Sequence, residues 1–386
     1  MTPRYPGGTG TFSKGPSQWP GNAPKTIEWG RGAHVFSNDG REFVDWTMGL
    51  AAVSLGYRDP DVVAAVKARV DEGAVFGTPH RLEFEYADAI GAVLPWADYG
   101  IRYGKNGSDA TEGAIRAARH ITGRDNIISL GYHGWLTTCP NKNGIPAASR
   151  LLVEESWDEA KMGAACLIVE ADAIPDDELR RMRSWCDQTG TLLVFDEILT
   201  GFRTPGYWYS VYKGITPDLI TAGKAISNGF PLSFVAGRED YMKVFGGEIG
   251  FSFTYAGDTI GLAAGMATLR KYQREPVIDK LWSVGTIIQD LWDQMGTGIP
   301  LTGNPSRLVF KYPSLAHRTL VSQEFIKRGI LVTVGFTPTY GLTKDDVKKT
   351  GDVMMEVATI LKSTDDPASL VEGEMVGLPY RQMVTL

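Results

Sequence analysis

Cysteines, long apolar runs and blocks of like charge are all scarce in this sequence. Its 386 residues contain three cysteines, Cys139, Cys166 and Cys186, whose spacing fits neither a disulfide framework nor a zinc site. No apolar run approaches the ~20 residues needed to span a bilayer. The Gly- and Pro-rich start "MTPRYPGGTGTFSKG" also lacks the apolar stretch of a signal peptide. We therefore expect a cytoplasmic protein with no membrane partner.

A concentrated basic charge is missing as well. The formal net charge is −6 at pH 7 and no long run of lysine and arginine occurs, so the sequence shows no electrostatic footprint for nucleic acid. What is present is an ordinary globular composition, with 43% hydrophobic and 22% charged residues. Because single hydrophobic cores stop growing at roughly 250–300 residues, the length predicts more than one domain.

Seven short apolar runs between residues 101 and 237 alternate with polar or helical stretches. The runs are "IRYGK", "NIISL", "RLLVEE", "ACLIVEA", "TLLVFDE", "DLITAGK" and "LSFVAG". This alternation predicts an α/β fold with a mainly parallel sheet and helices on both of its faces. Ligands of such open sheets bind beyond the carboxyl ends of the strands. Polar residues stand at these ends: Asn106-Gly107-Ser108, Tyr132-His133, Glu170, Asp196 and Lys224.

The flanking sequence predicts a smaller α+β domain. The first thirty or so residues resemble an extended arm, and "HVFSNDGREFVDW" predicts a hairpin that turns at Asn38-Asp39-Gly40. After a helix predicted at about Thr259 to Arg274, strand-like and helix-like runs alternate to the end of the chain. We place the boundaries at 1–58 for the arm and hairpin, 59–274 for the large domain and 275–386 for the C-terminal part of the small domain.

The stretch "KNGSDATEGAIRAARH" joins a small-residue loop to a helix. Ser108 or Asp109 can cap this helix, and the free N–H groups of its first turn, together with its dipole, would hold a phosphate beside Gly107. A simple capping turn is the commoner explanation of such a pattern. The stretch alone therefore does not decide between the two.

Two further strand ends carry candidate ligand contacts. In "TLLVFDEILTGFR", Asp196 ends a buried strand and needs a partner, which could be a protonated ring nitrogen of a ligand or a local base such as Arg203. Ile198 returns to the same face and could lie flat against a ring. In "SLGYHGW", Tyr132 could stack on a planar ligand, and His133 either joins it or is a satisfied structural histidine.

Lys224 in "TAGKAISNG" has only small neighbours. A solvated surface lysine is the commonest explanation for any single lysine. Taken together, however, a phosphate cradle, an aromatic ring, a carboxylate and an unshielded amine meet the requirements of pyridoxal phosphate. The combination therefore predicts this cofactor.

The sequence resembles the class III pyridoxal-phosphate aminotransferases of fold type I, within the branch that is similar to glutamate-1-semialdehyde aminomutase. The similarity extends over nearly the whole chain. It is carried by "DEILTGFR" and "GKAISNG" at their mutual spacing, with support from "NGSDA" and "GYHG". The resemblance implies a mainly parallel seven-stranded sheet in a large domain, and a smaller α+β domain built from both termini.

The resemblance also implies roles for single residues. Lys224 would be the Schiff-base lysine and proton shuttle, and Asp196 the partner of the pyridine nitrogen. Tyr132 and Ile198 would cover the two faces of the ring. The phosphate would lie at Gly107 and Ser108, and a homodimer with shared active sites would bring Thr254 to the phosphate of the neighbouring subunit.

The predicted reaction is transfer of an amino group from an amino donor to an oxo or aldehyde acceptor. One alternative is the intramolecular transfer of an aminomutase, and another is a non-catalytic regulator that binds pyridoxal phosphate. Aminomutase-like members hold the substrate carboxylate with an arginine of the N-terminal arm, and the matching residue here is Lys14, a point charge without the bidentate fork. The tail from about Thr364 has no counterpart in the resemblance.

Overall fold

The chain divides into two compact units in a computed structural model that describes residues 4–159 and 162–378. One unit combines Met1–Asp59 with Asp279–Leu386, and the other is Pro60–Ile278. In the described residues no helix is both long and apolar enough to cross a membrane.

The strands are short, and all fourteen in the described residues belong to three sheets. They are β1 Ile27–Arg31, β2 His34–Ser37, β3 Glu42–Asp45, β4 Tyr99–Gly104, β5 Ile127–Leu130, β6 Val153–Glu154, β7 Cys166–Val169, β8 Leu192–Asp196, β9 Leu219–Ala222, β10 Ser233–Arg238, β11 Leu301–Asn304, β12 Arg307–Phe310, β13 Ile330–Leu331 and β14 Gly335–Phe336.

The helices vary from single turns to about five turns in length. They are α1 Met48–Ala51, α2 Pro60–Glu72, α3 Arg81–Gly91, α4 Gly107–Thr122, α5 Ala147–Arg150, α6 Asp176–Thr189, α7 Tyr209–Lys213, α8 Glu239–Met242, α9 Thr259–Arg274, α10 Val277–Gln294, α11 Leu315–Lys327 and α12 Lys344–Lys362.

The Pro60–Ile278 unit is built on a seven-stranded sheet with the order β4-β10-β9-β8-β7-β5-β6. The strands from β5 to β9 pair in parallel, whereas β10 runs antiparallel to both β4 and β9. β7, β8 and β9 are buried along their whole length, as expected for central strands covered on both faces. The predicted mainly parallel sheet is confirmed, and each of the seven apolar runs overlaps one of its strands.

The other unit is α+β and uses both ends of the chain. Strands β2 and β3 form the predicted hairpin within the sheet β1-β2-β3-β13, and a second sheet has the order β11-β12-β14. Its core includes Trp46, Trp292, Phe325 and Phe336, all fully or almost fully buried.

Some predictions of local structure were wrong. The end of the predicted arm is strand β1, which pairs with β2, and the earlier residues contain short 3-10 turns such as Pro16–Gln18. The strand-like run "GILVTVG" (329–335) predicts one strand, but β13 lies within it and β14 begins at its last residue, Gly335, and these two strands belong to different sheets. The cap of α4 is neither Ser108 nor Asp109. Asn106 occupies that position, because its side chain accepts the N–H of Asp109 in a capping box.

Candidate active site

Asp196 is fixed at the carboxyl end of β8 by three hydrogen bonds. One carboxylate oxygen lies 2.7 Å from Nδ1 of His133, and the other accepts the backbone N–H of Ile198 at 3.1 Å and the hydroxyl of Thr221 at 3.2 Å. Asp196 and His133 are both buried. The base beside Asp196 is therefore His133, which follows the end of β5, whereas the sequence had suggested a local base such as Arg203.

The charge state of Asp196 follows from its surroundings. The two ring nitrogens of His133 both face protein oxygens, Nδ1 that of Asp196 and Nε2 the carbonyl oxygen of Leu130 at 3.1 Å. Burial by itself raises the pKa of Asp196, but the hydrogen bond and charge of His133 outweigh it, and the net pKa is lowered. Asp196 is therefore ionised at neutral pH inside a buried site.

The adjacent carboxylate, Glu197, has a different task. It accepts the backbone N–H groups of Tyr209 at 2.6 Å and Ser210 at 2.9 Å, and the hydroxyl of Thr200 at 3.1 Å. Glu197 thus caps the start of α7 from the opposite side of the strand. Burial raises its pKa. The two neighbouring acids divide into one that faces the site and one that holds the surrounding loop.

Lys224 follows the end of β9 with an unusual backbone. Its φ is +53°, in the left-handed region that non-glycine residues rarely occupy. This conformation has a steric cost of about 1–2 kcal/mol for a residue with a Cβ. Lys224 begins the 3-10 turn Lys224–Ser227 and is half-buried. Its charge also contributes to lowering the pKa of Asp196, so the two side chains share one electrostatic environment. Strain of this kind concentrates at functional sites.

The loop between β4 and α4 presents free donors. The carboxylate of Asp109 accepts the backbone N–H groups of Lys105 at 2.8 Å and Asn106 at 3.0 Å, which closes the loop. Within the described part of the chain, the N–H groups of Gly107 and Ser108 find no acceptor, as expected for a helix start. Asp109 thus shapes the start of α4, while its own N–H and carboxylate are used within the loop.

The loop with Tyr132 and His133 packs against the same helix start. The hydroxyl of Thr111 donates to the carbonyl oxygen of His133 at 2.7 Å, and the N–H of Trp135 donates to Oγ of Ser108 at 3.2 Å. Gly134, at φ +103°, approaches so closely that an added Cβ would lie 2.3 Å from the Ser108 hydroxyl. Tyr132 is half-buried beside this contact.

Ile198 connects the remaining parts of the site. An added Cβ at Gly107 would lie 2.6 Å from Cδ1 of Ile198, and one at Gly223 would lie 3.7 Å from its Cγ2. Ile198 therefore lies between the helix start and the residue before Lys224. The small residue at Gly107 is required because its backbone and Ile198 approach within contact distance.

Among the described residues, no hydrogen bond joins Thr254 to the other predicted site residues. Thr254 is exposed and lines a separate cavity of about 240 Å³ together with Val75, Phe76 and Glu83. The structure thus brings together eight of the nine predicted site residues within the Pro60–Ile278 unit. Thr254 was predicted to act in the neighbouring subunit, and its role stays a prediction.

Sequence reasoning missed two supporting contacts. Thr221 is an unremarkable strand residue, and only the parallel register of β8 and β9, which aligns it with Asp196, could have indicated its role. Lys105 forms an ion pair with Asp258, the N-cap of α9. Burial lowers the pKa of Lys105 to about 8, despite the nearby charge of Asp109.

A buried carboxylate, a strained lysine and a helix start at one end of a mainly parallel sheet define the class of fold type I transferases. The chain belongs to the class-III aminotransferase family, because the family model described as "Aminotransferase class-III" matches residues 17–144 and 165–297. The predicted family, the aminotransferase activity and the cofactor pyridoxal phosphate are thereby confirmed. The roles of single residues remain predictions.

Individual relatives show the same family. The chain is 32% identical over 301 residues to the glutamate-1-semialdehyde 2,1-aminomutase of Halorubrum lacusprofundi, covering 69% of this chain and 67% of that protein. It is 33% identical to the protein of the same name from Natronomonas pharaonis, with the same coverage of each.

Solved structures show the same fold. The pyridoxal-phosphate internal aldimine form of the Sphingopyxis sp. MTA144 FumI protein has a TM-score of 0.84 at 23% identity, covering 93% of this chain and 95% of that one. An omega-transaminase from Sphaerobacter thermophilus has a TM-score of 0.84 at 22% identity, with the same coverage.

Proposed function

We propose that Lys224 is the covalent anchor of pyridoxal phosphate in a transaminase that converts an amino donor and an oxo or aldehyde acceptor. The observation that carries this proposal is the ionised, buried Asp196, which is held by His133 and influenced by the charge of Lys224. An anion kept in such a site needs a cationic partner from a ligand or from the protein.

The described residues fit this cofactor. The free N–H groups of Gly107 and Ser108 and the Ser108 hydroxyl offer donors for a phosphate at the start of α4. Asp196 can accept a proton-bearing ring nitrogen, and Ile198 and Tyr132 offer surfaces for the two ring faces. When bound, the cofactor supplies an aldehyde that takes up the amino group and a ring that accepts electrons from the substrate carbon.

The residues of the chain then have separate tasks. Nζ of Lys224 would anchor the cofactor through its aldehyde carbon until the donor's amine takes its place on that carbon and frees Nζ. The freed Nζ would then accept the proton from the donor's α-carbon and deliver it to the former aldehyde carbon. Asp196 keeps the ring nitrogen protonated, and His133 keeps Asp196 ionised and oriented. Asp109 and Glu197 fix the loops that carry these groups.

Chemical labelling tests the anchor directly. Borohydride reduction of the protein loaded with pyridoxal phosphate, followed by peptide mapping, should place the pyridoxyl label on Lys224. Lys224→Ala should lose the label together with transaminase turnover. A label on another lysine, or none on an active enzyme, would contradict the proposal.

Intramolecular amino transfer is the second candidate, since the relatives from Halorubrum lacusprofundi and Natronomonas pharaonis carry the name of an aminomutase. The two reactions differ in their need for a separate acceptor. An intermolecular transaminase requires an added oxo acid for continued turnover, whereas an aminomutase turns over its one substrate alone. Product analysis with and without an oxo acid distinguishes them.

We also propose a homodimer in which Thr254 approaches the phosphate of the neighbouring subunit. The exposed side chains of Val75 and Phe76 line the Thr254 cavity, and Phe84, Phe253 and Tyr255, which are next in sequence to lining residues, are exposed as well. A surface of this kind favours a protein partner. Light scattering coupled to gel filtration tests the dimer, and cofactor affinity of Thr254→Ala tests the shared site. The cytoplasmic location stays a prediction.

A further inference from the structure

A buried hydroxyl group of β10 holds the loop that carries the proposed phosphate donors. Oγ of Ser233 donates to the carbonyl oxygen of Asn106 at 2.7 Å, although the two residues are 127 positions apart in the chain. Ser233 is 0% exposed, so its hydroxyl must find its partner inside the protein. The bond therefore attaches the loop to the interior of the unit.

The register of β4 and β10 brings Ser233 to this loop. The two strands are antiparallel, and Ser233, the first residue of β10, pairs with Gly104, the last residue of β4. The chain that leaves β4 therefore passes Ser233 just before Asn106. An added Cβ at Gly104 would lie 2.6 Å from Oγ of Ser233 and 2.8 Å from Cβ of Asp109, so glycine leaves room for both side chains.

The carbonyl group of Asn106 and the N–H of Gly107 belong to one peptide group. A trans peptide is planar, and its C=O and N–H bonds point in opposite directions. No cis peptide bond occurs in the part of the chain that the structure describes. Because the hydroxyl of Ser233 fixes the direction of the carbonyl, it also fixes the direction of the Gly107 N–H. This N–H is one of the donors proposed for the phosphate.

The glycine at position 107 makes such a constraint necessary. Ile198 leaves no room for a larger residue, since an added Cβ at Gly107 would lie 2.6 Å from its Cδ1. Glycine, however, adopts backbone angles that are closed to other residues, so the peptide between Asn106 and Gly107 can rotate at little local cost. In the opposite orientation, a carbonyl oxygen would take the place of the N–H. A carbonyl oxygen only accepts hydrogen bonds and cannot bind a phosphate.

The other hydrogen bonds of Asn106 lie within the turn. Its carbonyl oxygen also accepts the N–H of Asp109 at 3.1 Å, and its own N–H donates to the carboxylate of Asp109 at 3.0 Å. These bonds close the turn, but they do not attach it to the central sheet. Ser233 is a residue of that sheet, so its bond fixes the turn relative to the strands that carry Asp196 and Lys224.

We propose that Ser233 is a positioning residue that orients the Gly107 N–H toward the phosphate and thereby favours pyridoxal phosphate over unphosphorylated pyridoxal. This inference rests on the proposed function, since it takes the phosphate to lie at Gly107 and Ser108. Ser233 acts only through the loop, because the proton of its hydroxyl is used by Asn106.

The test compares the affinities of the full-length protein, freed of cofactor, for pyridoxal phosphate and for pyridoxal. Titration of the visible absorption of the bound cofactor gives both Kd values. Ser233→Ala should raise the Kd for pyridoxal phosphate about 3- to 10-fold, the range for loss of one buried hydrogen bond, and leave the Kd for pyridoxal unchanged. Ser233→Cys keeps a side chain of similar shape with only a weak donor and should act in the same direction.

Two further variants calibrate this result. Thr268→Val is the matched control, because Thr268 is also 0% exposed and donates to a backbone carbonyl, that of Ala264 within α9, at 2.8 Å. This variant should lower the free energy of unfolding but change neither Kd. Ser108→Ala removes a proposed phosphate donor directly, so it should raise the Kd for pyridoxal phosphate and not that for pyridoxal.

The outcomes separate failure of this inference from failure of the proposed function. If Ser108→Ala weakens the binding of pyridoxal phosphate selectively, but Ser233→Ala weakens the binding of both compounds or of neither, the positioning role is overturned alone. A general weakening of the fold would not select the phosphate. If neither variant changes the ratio of the two Kd values, the phosphate does not lie at the start of α4, and the proposed cofactor site is overturned with it.

Discussion

His133 controls the acid that faces the site, although it has no polar atom left to contact a ligand. Replacing it with Phe removes the hydrogen bond to Asp196 and leaves burial as the dominant influence, so the pKa of Asp196 should rise. Asp196 is active when ionised, so activity is lost as the pH falls through its pKa. The acid limb of the kcat–pH profile should therefore move to higher pH.

The size of this effect can be anticipated at neutral pH. Loss of a charge-assisted hydrogen bond in a buried site is worth about 1.5–3 kcal/mol, which corresponds to a roughly 10- to 150-fold decrease in kcat. His120→Phe is the matched control, because His120 is exposed and pairs with Glu248 at the surface. An unshifted acid limb in His133→Phe would show that Asp196 does not depend on this histidine.

The backbone of Lys224 allows a test that is independent of chemistry. Alanine and glycine both remove the amine, but only glycine occupies a φ of +53° without steric cost. The free energy of unfolding of Lys224→Gly should therefore be about 1 kcal/mol higher than that of Lys224→Ala. Urea unfolding of both cofactor-free variants measures this difference. Equal stabilities, or a more stable alanine variant, would contradict backbone strain at this position.

At the scale of elements, the sequence predicted best where periodicity and caps agree. The seven apolar runs located the central sheet, and the helix predicted from Thr259 to Arg274 begins and ends at those residues. The failures need tertiary information. The division of "GILVTVG" depends on which strands lie beside it, and the left-handed turn at Met48–Ala51, with φ from 45° to 69°, has no signal beyond Gly49.

The same limit applies to the candidate site. Adjacent residues such as "DE" and "YH" showed that polar groups stand at strand ends, but not which group faces which. That His133 contacts Asp196, while Glu197 caps α7, follows from strand order and register. Sequence separation hides such contacts, since His133 and Asp196 are 63 positions apart in the chain.

The loop before α4 is joined to the start of α9 by the ion pair of Lys105 and Asp258. Asp258→Asn keeps an oxygen for the N–H groups of Ile260 and Gly261 but removes the charge, and Lys105→Met keeps most of the side-chain volume. A double-mutant cycle with these two changes should show a coupling of about 1–3 kcal/mol in the free energy of unfolding. The Lys105→Met and Asp258→Asn variants should also bind pyridoxal phosphate more weakly, because the loop carries Gly107 and Ser108.

The size of this coupling energy distinguishes an ion pair that links the loop to α9 from two independent contributions to stability. If Lys105 and Asp258 acted independently, their contributions to stability would add. A coupling near zero, with the cofactor affinity of both single variants unchanged, would show that the ion pair does not hold the phosphate loop.

At the scale of the whole molecule, the exposed apolar surface around Thr254 needs a cover. Phe84 on α3 is 63% exposed and Tyr255 is 61% exposed, and each is next in sequence to a residue that lines the Thr254 cavity. The core of an interface tolerates a buried charge poorly. If this surface forms the proposed dimer interface, Phe84→Asp should shift the protein to a monomer, measured by analytical ultracentrifugation.

The cofactor affinity of the Phe84→Asp variant tests whether this surface contributes to the active site. If Thr254 completes the phosphate site of the neighbouring subunit, the Phe84→Asp monomer should bind pyridoxal phosphate at least about tenfold more weakly, in step with dissociation. Val211→Asp is the control, because Val211 is 42% exposed on α7, away from the cavity. A monomer that retains full cofactor affinity would refute a site shared between subunits, because every residue needed for the phosphate would then come from one chain.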